Sequence, residues 1–310
     1  MNTQSPRLVV ISATAALLIA AVLGSNSAAQ TRAAAETLTL GIVSEIRHKE
    51  IEERYRDFVR YAARKLSSDS EIEGKVVIAP TSLDLAKLLE QGKVDFYMES
   101  PYGTYVINNV HGAAKLLLRR WQRGKAEYRS LIFTKANGAV RRLGDLRGKI
   151  IAFEDPGSSS GHFIPKFFLL RNGFKLSEKD RVEANVASAE IGFIFANSQE
   201  KLIDLVLTNK LAAGAFSDDD YAALDDQRKP QIEVLAQTEL LPRHLVSVRK
   251  EMPPTQAGRL EAILLAMHEN EEGRSILKKT GDTTKFDLLP GGEEGIRRRL
   301  LESFYSADKR

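Results

Sequence analysis

The sequence predicts an α/β protein of two similar lobes, each a mainly parallel sheet flanked by helices. Three observations predict it. Short apolar runs alternate with segments whose apolar residues recur at helical spacing, and the links between them are short. A helix–turn–strand unit occurs twice: residues 83–99 read as helix, Gly92-Lys93 and apolar strand, and residues 202–216 as helix, Asn209-Lys210 and apolar strand. Asn stands in the second copy where Gly stands in the first, and both suit the left-handed turn that ends a helix. Finally, a chain of 310 residues, 43% hydrophobic and 28% charged, has room for about two globular domains.

Taken in order, the first element concerns export. Arg7 precedes an apolar run over residues 8–23, and small residues follow over 24–29. That arrangement predicts a signal peptide over residues 1–29, with a second fitting cleavage site after Ala35, and hence a periplasmic protein. The rival is an uncleaved anchor, for which the run falls short of the roughly 20 residues that span a bilayer. Residues 38–43 then read as a strand, and Ile51, Tyr55, Phe58, Val59, Ala62 and Leu66 mark a helix. A strand over 75–79 stops at Pro80, Ser82 is placed to cap the helix 83–91, Gly92 ends it, and 94–98 is the next strand. Residues 119–129 form a charged, glycine-containing connection suited to crossing between lobes, before an apolar strand over 130–134. A shorter echo of the repeated unit lies at 143–153, with Gly148-Lys149 before its strand.

Composition excludes several functions. With no cysteine, disulfide staples, thiolate metal sites, a cysteine nucleophile and a lipoprotein cysteine anchor are ruled out. A net charge of +4 is too small to argue for nucleic acid. The basic clusters at residues 119–123 and Arg297-Arg298-Arg299 are expected to be solvated faces. His48, His111, His162, His244 and His268 show no close pairing of the kind that puts two imidazoles on one helix face, so neither a metal nor another cofactor is expected.

The segment that carries chemistry runs from Lys149 to Phe163. A buried strand ends at Asp155-Pro156, and Ser158, Ser159 and Ser160 follow between Gly157 and Gly161 at the start of a helix. First-turn amides lack intrahelical acceptors and carry the positive end of the helix dipole, so amides and hydroxyls together suit an anion with several oxygens. The same residues match the G-x-S-x-G nucleophile elbow, with Asp218 and His244 or His268 following in hydrolase order. Against a serine hydrolase, Asp155-Pro156 separates strand from elbow and no HGGG-like loop lies upstream. A binding protein without enzymatic activity is therefore expected.

The stretch 153–161, Phe-Glu-Asp-Pro-Gly-Ser-Ser-Ser-Gly, followed by Pro165 and the helix end at 169–173, resembles the signature of the phosphate/phosphite/phosphonate substrate-binding proteins of ABC transporters. Residues 92–96 with Ser100-Pro101-Tyr102, then 128–132, 143–149 and 248–253, occur in that family's order. The resemblance covers residues 38–267. It implies the two-lobed type II periplasmic binding fold, with lobe 1 over 37–128 plus 245–310, lobe 2 over 129–244 and a ligand cleft between them. It implies that Ser158, Ser159 and Ser160 grip the oxyanion and that Tyr102 faces it across the cleft; Ser100, His162 and an acid, Asp218 or Asp219, are further candidates for the pocket. Gln199 and His244 depart from the family's pattern: Ser198-Gln199-Glu200 replaces a frequent Ser-His-Asp, and Pro242-Arg243-His244 replaces Pro-Asn-Asp. Loss of that carboxylate is expected to disfavour a ligand amine. The expected partners are a small anionic ligand and an inner-membrane ABC permease, with a sensor protein as the alternative, and the chain is expected to act as a monomer.

Overall fold

The computed structural model describes residues 36–67 and 72–305. The expected signal peptide, with both cleavage sites, lies outside the described residues. One six-stranded sheet has the order Thr283–Asp287, Ala114–Gln122, His244–Arg249, Phe96–Glu99, Thr37–Val43, Glu73–Ala79. A second six-stranded sheet has the order Ile232–Gln237, Ser130–Lys135, Ala213–Ser217, Ile150–Phe153, Glu190–Phe195, Lys175–Glu178.

Each sheet has a parallel half built from strand–helix–strand units. Thr37–Val43 runs parallel to both Glu73–Ala79 and Phe96–Glu99, and Ile150–Phe153 runs parallel to both Glu190–Phe195 and Ala213–Ser217. The other halves are antiparallel, so the sheets are mixed where the sequence predicts mainly parallel ones. The reason lies in how the chain passes between them. Ala114–Gln122 pairs antiparallel with His244–Arg249, Glu127–Tyr128 with Leu241–Pro242, and Ser130–Lys135 with Ile232–Gln237. The outgoing and returning passages thus form one hydrogen-bonded ribbon through both sheets, and two strands that travel in opposite senses side by side pair antiparallel.

Local signals account for most helix ends. Gly92 and Asn209 both adopt positive φ, 66° and 57°, at the ends of the repeated helices Ser82–Glu90 and Gln199–Leu207. The first of these helices is capped by Thr81, not by Ser82 as the sequence suggests. Thr81 is extended, its Oγ1 accepts from the Asp84 amide at 3.1 Å, and it donates to the Asp84 carboxylate at 2.7 Å. Three-residue spacing to an acid makes Thr81 the better cap.

Helices cover the sheets, with Phe58, Phe96, Leu118 and Phe286 in the core of the first. Phe133, Phe216 and Leu202 pack on one face of the second, and Phe153, Leu169 and Ile191 on the other. A further cluster joins Tyr105, Leu116 and Leu245 to Tyr128, Ile164 and Leu241, and is closed by Ile296, Leu300 and Phe304 of the C-terminal helix Gly292–Phe304. The basic clusters are not simple solvated faces. Arg120 is 2% exposed and donates to Thr283 Oγ1 and to the Thr280 and Gly281 carbonyls. Arg119 makes a two-pronged contact with Asp287, and Arg299 reaches Glu127 and the Leu240 carbonyl. Strand alternation and cross-strand acceptors draw these guanidinium groups inward, which a run of basic letters does not reveal.

Candidate functional site

The serine segment is built by a strand, a tight turn and a wide helical turn. Ile150–Phe153 is buried along its length, and Asp155 Oδ1 then accepts from the Gly157 amide at 2.8 Å to close the turn. Ser158 is the N-cap: its Oγ accepts from the Gly161 amide at 2.9 Å and donates to Glu154 Oε2 at 2.9 Å. Ser159–Phe163 forms a π-helical turn that continues into the α-helix Ile164–Arg171. Glycine is required at 161, because a Cβ there would lie 2.5 Å from Glu154 Cβ and 2.6 Å from its Oε2.

The facing half repeats the plan. Phe96–Glu99 leads to Ser100, the N-cap of Pro101–Thr104, and Ser100 donates both N–H and Oγ–H to Glu99 Oε1, each at 2.6 Å. Gly103 again makes room, since a Cβ would lie 2.3 Å from Glu99 Cγ. The two halves meet serine to serine: Ser159 Oγ donates to Ser100 Oγ at 2.8 Å and accepts from the Tyr102 amide at 3.4 Å. Tyr128, from the ribbon between the sheets, has its buried phenol beside the Ser159 side chain. Ser160 contributes its carbonyl, which accepts from Ser130 Oγ at 2.7 Å.

The electrostatics are acidic. Burial raises the pKa of both Glu99 and Glu154, and Asp155 and Asp220 raise Glu154 further. Burial also raises the Tyr128 phenol, so it stays protonated and can donate. The nearby cations are engaged: Arg243 lies 5.1 Å above the Tyr128 ring and pairs with Asp219, and Lys125 reaches the same carboxylate at 2.5 Å.

Ser158, Ser159, Ser100 and the backbone of Tyr102 are therefore brought together, while other expected positions have different neighbours. The Tyr102 ring stacks on Phe163, centroids 3.4 Å apart and 14° from parallel, with Phe304 edge-on at 5.3 Å. His162 donates from Nδ1 to the Pro156 carbonyl at 2.9 Å and is packed among phenylalanines. Asp218 accepts from the Arg129 amide at 3.3 Å. Gln199 is the half-buried first residue of its helix. His244 stands opposite Arg120 in the antiparallel pair, and burial, with the charges of Arg120 and Arg243, lowers its pKa well below the usual histidine value. His244 Nδ1 is buried without a hydrogen-bond partner among the described residues. His268 bonds the Leu265 carbonyl, so among the described residues neither candidate triad histidine bonds Ser159. Glu99, Glu154 and Tyr128 are site residues that sequence reasoning missed. The signal available was a glutamate at or just past the end of a strand in both halves, directly before the serine at Glu99-Ser100 and four residues before it at Glu154 and Ser158.

A family model described as an ABC transporter, phosphonate, periplasmic substrate-binding protein matches residues 40–288. The chain is 24% identical over 258 residues to a phosphate-import protein, PhnD, of Mycolicibacterium smegmatis, covering 80% of this chain and 78% of that one. XAC2383 from Xanthomonas citri, solved bound to ATP, aligns with TM-score 0.77 and 24% identity over 89% of this chain and 98% of its own. PhnD1 from Prochlorococcus marinus, in complex with methylphosphonate, aligns with TM-score 0.58 and 13% identity over 86% and 97%.

Proposed function

The chain belongs to the family of periplasmic phosphonate substrate-binding proteins of ABC transporters and has the type II periplasmic binding fold, and from that premise we propose that it captures a phosphonate, phosphite or phosphate in the cleft and hands it to a permease. The lobes that close on the ligand are 37–128 plus 245–310 and 129–244. The observation that carries this reading is the contact of Ser159 with Ser100, Tyr102 and Tyr128 from outside its own lobe. A small oxyanion held there has hydroxyl and amide donors on several sides, which a buried anion requires. Hinge closure then couples occupancy to the shape the permease receives.

Calorimetry with phosphate, phosphite, methylphosphonate and methanesulfonate tests it. Ser159→Ala is expected to lose about 1.5 to 3 kcal/mol of binding, the contribution of one hydrogen bond to a charged group, with the fold intact. Equal affinity in wild type and Ser159→Ala would remove the site assignment. The apolar N-terminal run is read as the export signal. N-terminal sequencing of periplasmic protein is expected to begin at Gln30 or Glu36, and a full-length chain confined to membranes would support the anchor.

A further inference from the structure

Both halves of the site direct their hydroxyl protons away from a ligand. A serine hydroxyl has one proton. The proton of Ser100 is on Glu99, that of Ser159 is on Ser100, and that of Ser158 is on Glu154. None of the three hydroxyls therefore has a proton free for a ligand oxygen, and each oxygen already accepts a hydrogen bond: Ser158 from Gly161, Ser100 from Ser159 and Ser159 from Tyr102. To hold one, the hydroxyls must turn toward it.

The two glutamates differ in what they then lose. Glu99 keeps the Ser100 N–H at 2.6 Å when that hydroxyl turns. Glu154 has only the Ser158 hydroxyl as donor to its carboxylate among the described residues. Asp155 and Asp220 add negative charge beside it, and Lys125 and Arg243 are held by Asp219. His162, on the same turn, is engaged with Pro156 and uncharged at neutral pH. An ionised Glu154 left without a donor and facing an anion is costly on both counts. A proton between a Glu154 oxygen and a ligand oxygen removes both costs.

Resting on the oxyanion-binding reading above, we propose that this cleft takes its ligand with one proton, shared between the ligand and the Glu154 carboxylate, so that it admits a phosphonate or phosphate monoanion, or a dianion plus a proton. Glu154 is a specificity-determining residue in this arrangement, and Glu99 a positioning residue for Ser100.

The test is calorimetry with methylphosphonate and inorganic phosphate in two buffers of different ionisation heat, at about pH 8.5, where the ligand dianion predominates. Wild type is expected to take up about one proton per ligand bound and to lose affinity about tenfold per pH unit above this point. Glu154→Gln, which can donate without a proton from solution, is expected to show little uptake and a flat profile. Binding by wild type without proton uptake overturns the proposal while leaving the oxyanion reading intact, and so does equal uptake in Glu154→Gln. The wild-type proton count decides the matter even if a variant fails to fold. Tight binding of aminomethylphosphonate without uptake would also overturn it, since the carboxylate then pairs with an ammonium. Failure of every oxyanion to bind wild type at any pH removes both readings.

Discussion

His162 is 4% exposed, with Phe153, Phe163, Phe193 and Phe195 around its ring and its Nε2 enclosed without a hydrogen-bond partner. Burial lowers its pKa to about 4, although the bond to Pro156 acts the other way. An unfolded histidine titrates near 6.5, so between there and about 4 the unfolded chain binds more protons than the folded one. The contribution is complete above pH ~6.5 and is lost as pH falls through that window, by up to about 3 kcal/mol. Urea unfolding at several pH values in this range is expected to show the decline, and His162→Phe should reduce its slope; identical slopes would refute the assignment. His244 is depressed as well and should leave a residual slope in the variant. At this scale, Ser158 to Ser160 were legible because glycines bracket them at a strand–helix junction. Glu154 stood in the same motif unread, because its role depends on the turn that folds Ser158 back onto it. The stacking of the Tyr102 ring on Phe163 was not legible either, since that partner lies far away in sequence.

The C-terminal helix Gly292–Phe304 ties elements from both sheets together. Phe304 packs against Tyr102 and Tyr105, beside the first sheet, and against Phe167, on the helix that follows the serine turn. Arg171, at the end of that same helix, donates to the Glu302 and Ser303 carbonyls, satisfying acceptors that a helix end leaves open. Phe304→Ala is expected to cost about 3 to 5 kcal/mol, as for a large buried aromatic, and to widen the solution ensemble of the lobes. Chemical denaturation and small-angle scattering measure the two effects. A variant with wild-type stability and radius of gyration would show that the helix does not clamp the lobes. Ile296, Leu300 and Phe304 recur at helical spacing in the sequence, and that apolar stripe is buried. Which partners it buries against was not legible there, since they come from three separate segments.

At the scale of the molecule, the repeated helix–turn–strand unit discloses two α/β halves in the sequence itself. It discloses only their parallel portions, because strands that cross between sheets choose partners about a hundred residues away or more. On the proposed function, those crossings are expected to guide closure. Across a methylphosphonate titration, small-angle scattering curves are expected to decompose into an open and a closed form alone. A third component would mean that the halves also move in some other way.

The ribbon described above explains why only one motion is expected. Two independent tethers would let one half twist, slide or tilt against the other. Here the strands are bonded to each other on both sides of the crossing, through Ser130 with Thr238, Tyr128 with Leu241, and Ala126 with Arg243. Such a band bends readily about an axis across its strands but resists shear and splay, because either would break those bonds together. On the proposed function, the serines at 100 and 159 are expected to separate and return along one fixed arc, with registry between them restored at each closure without any search.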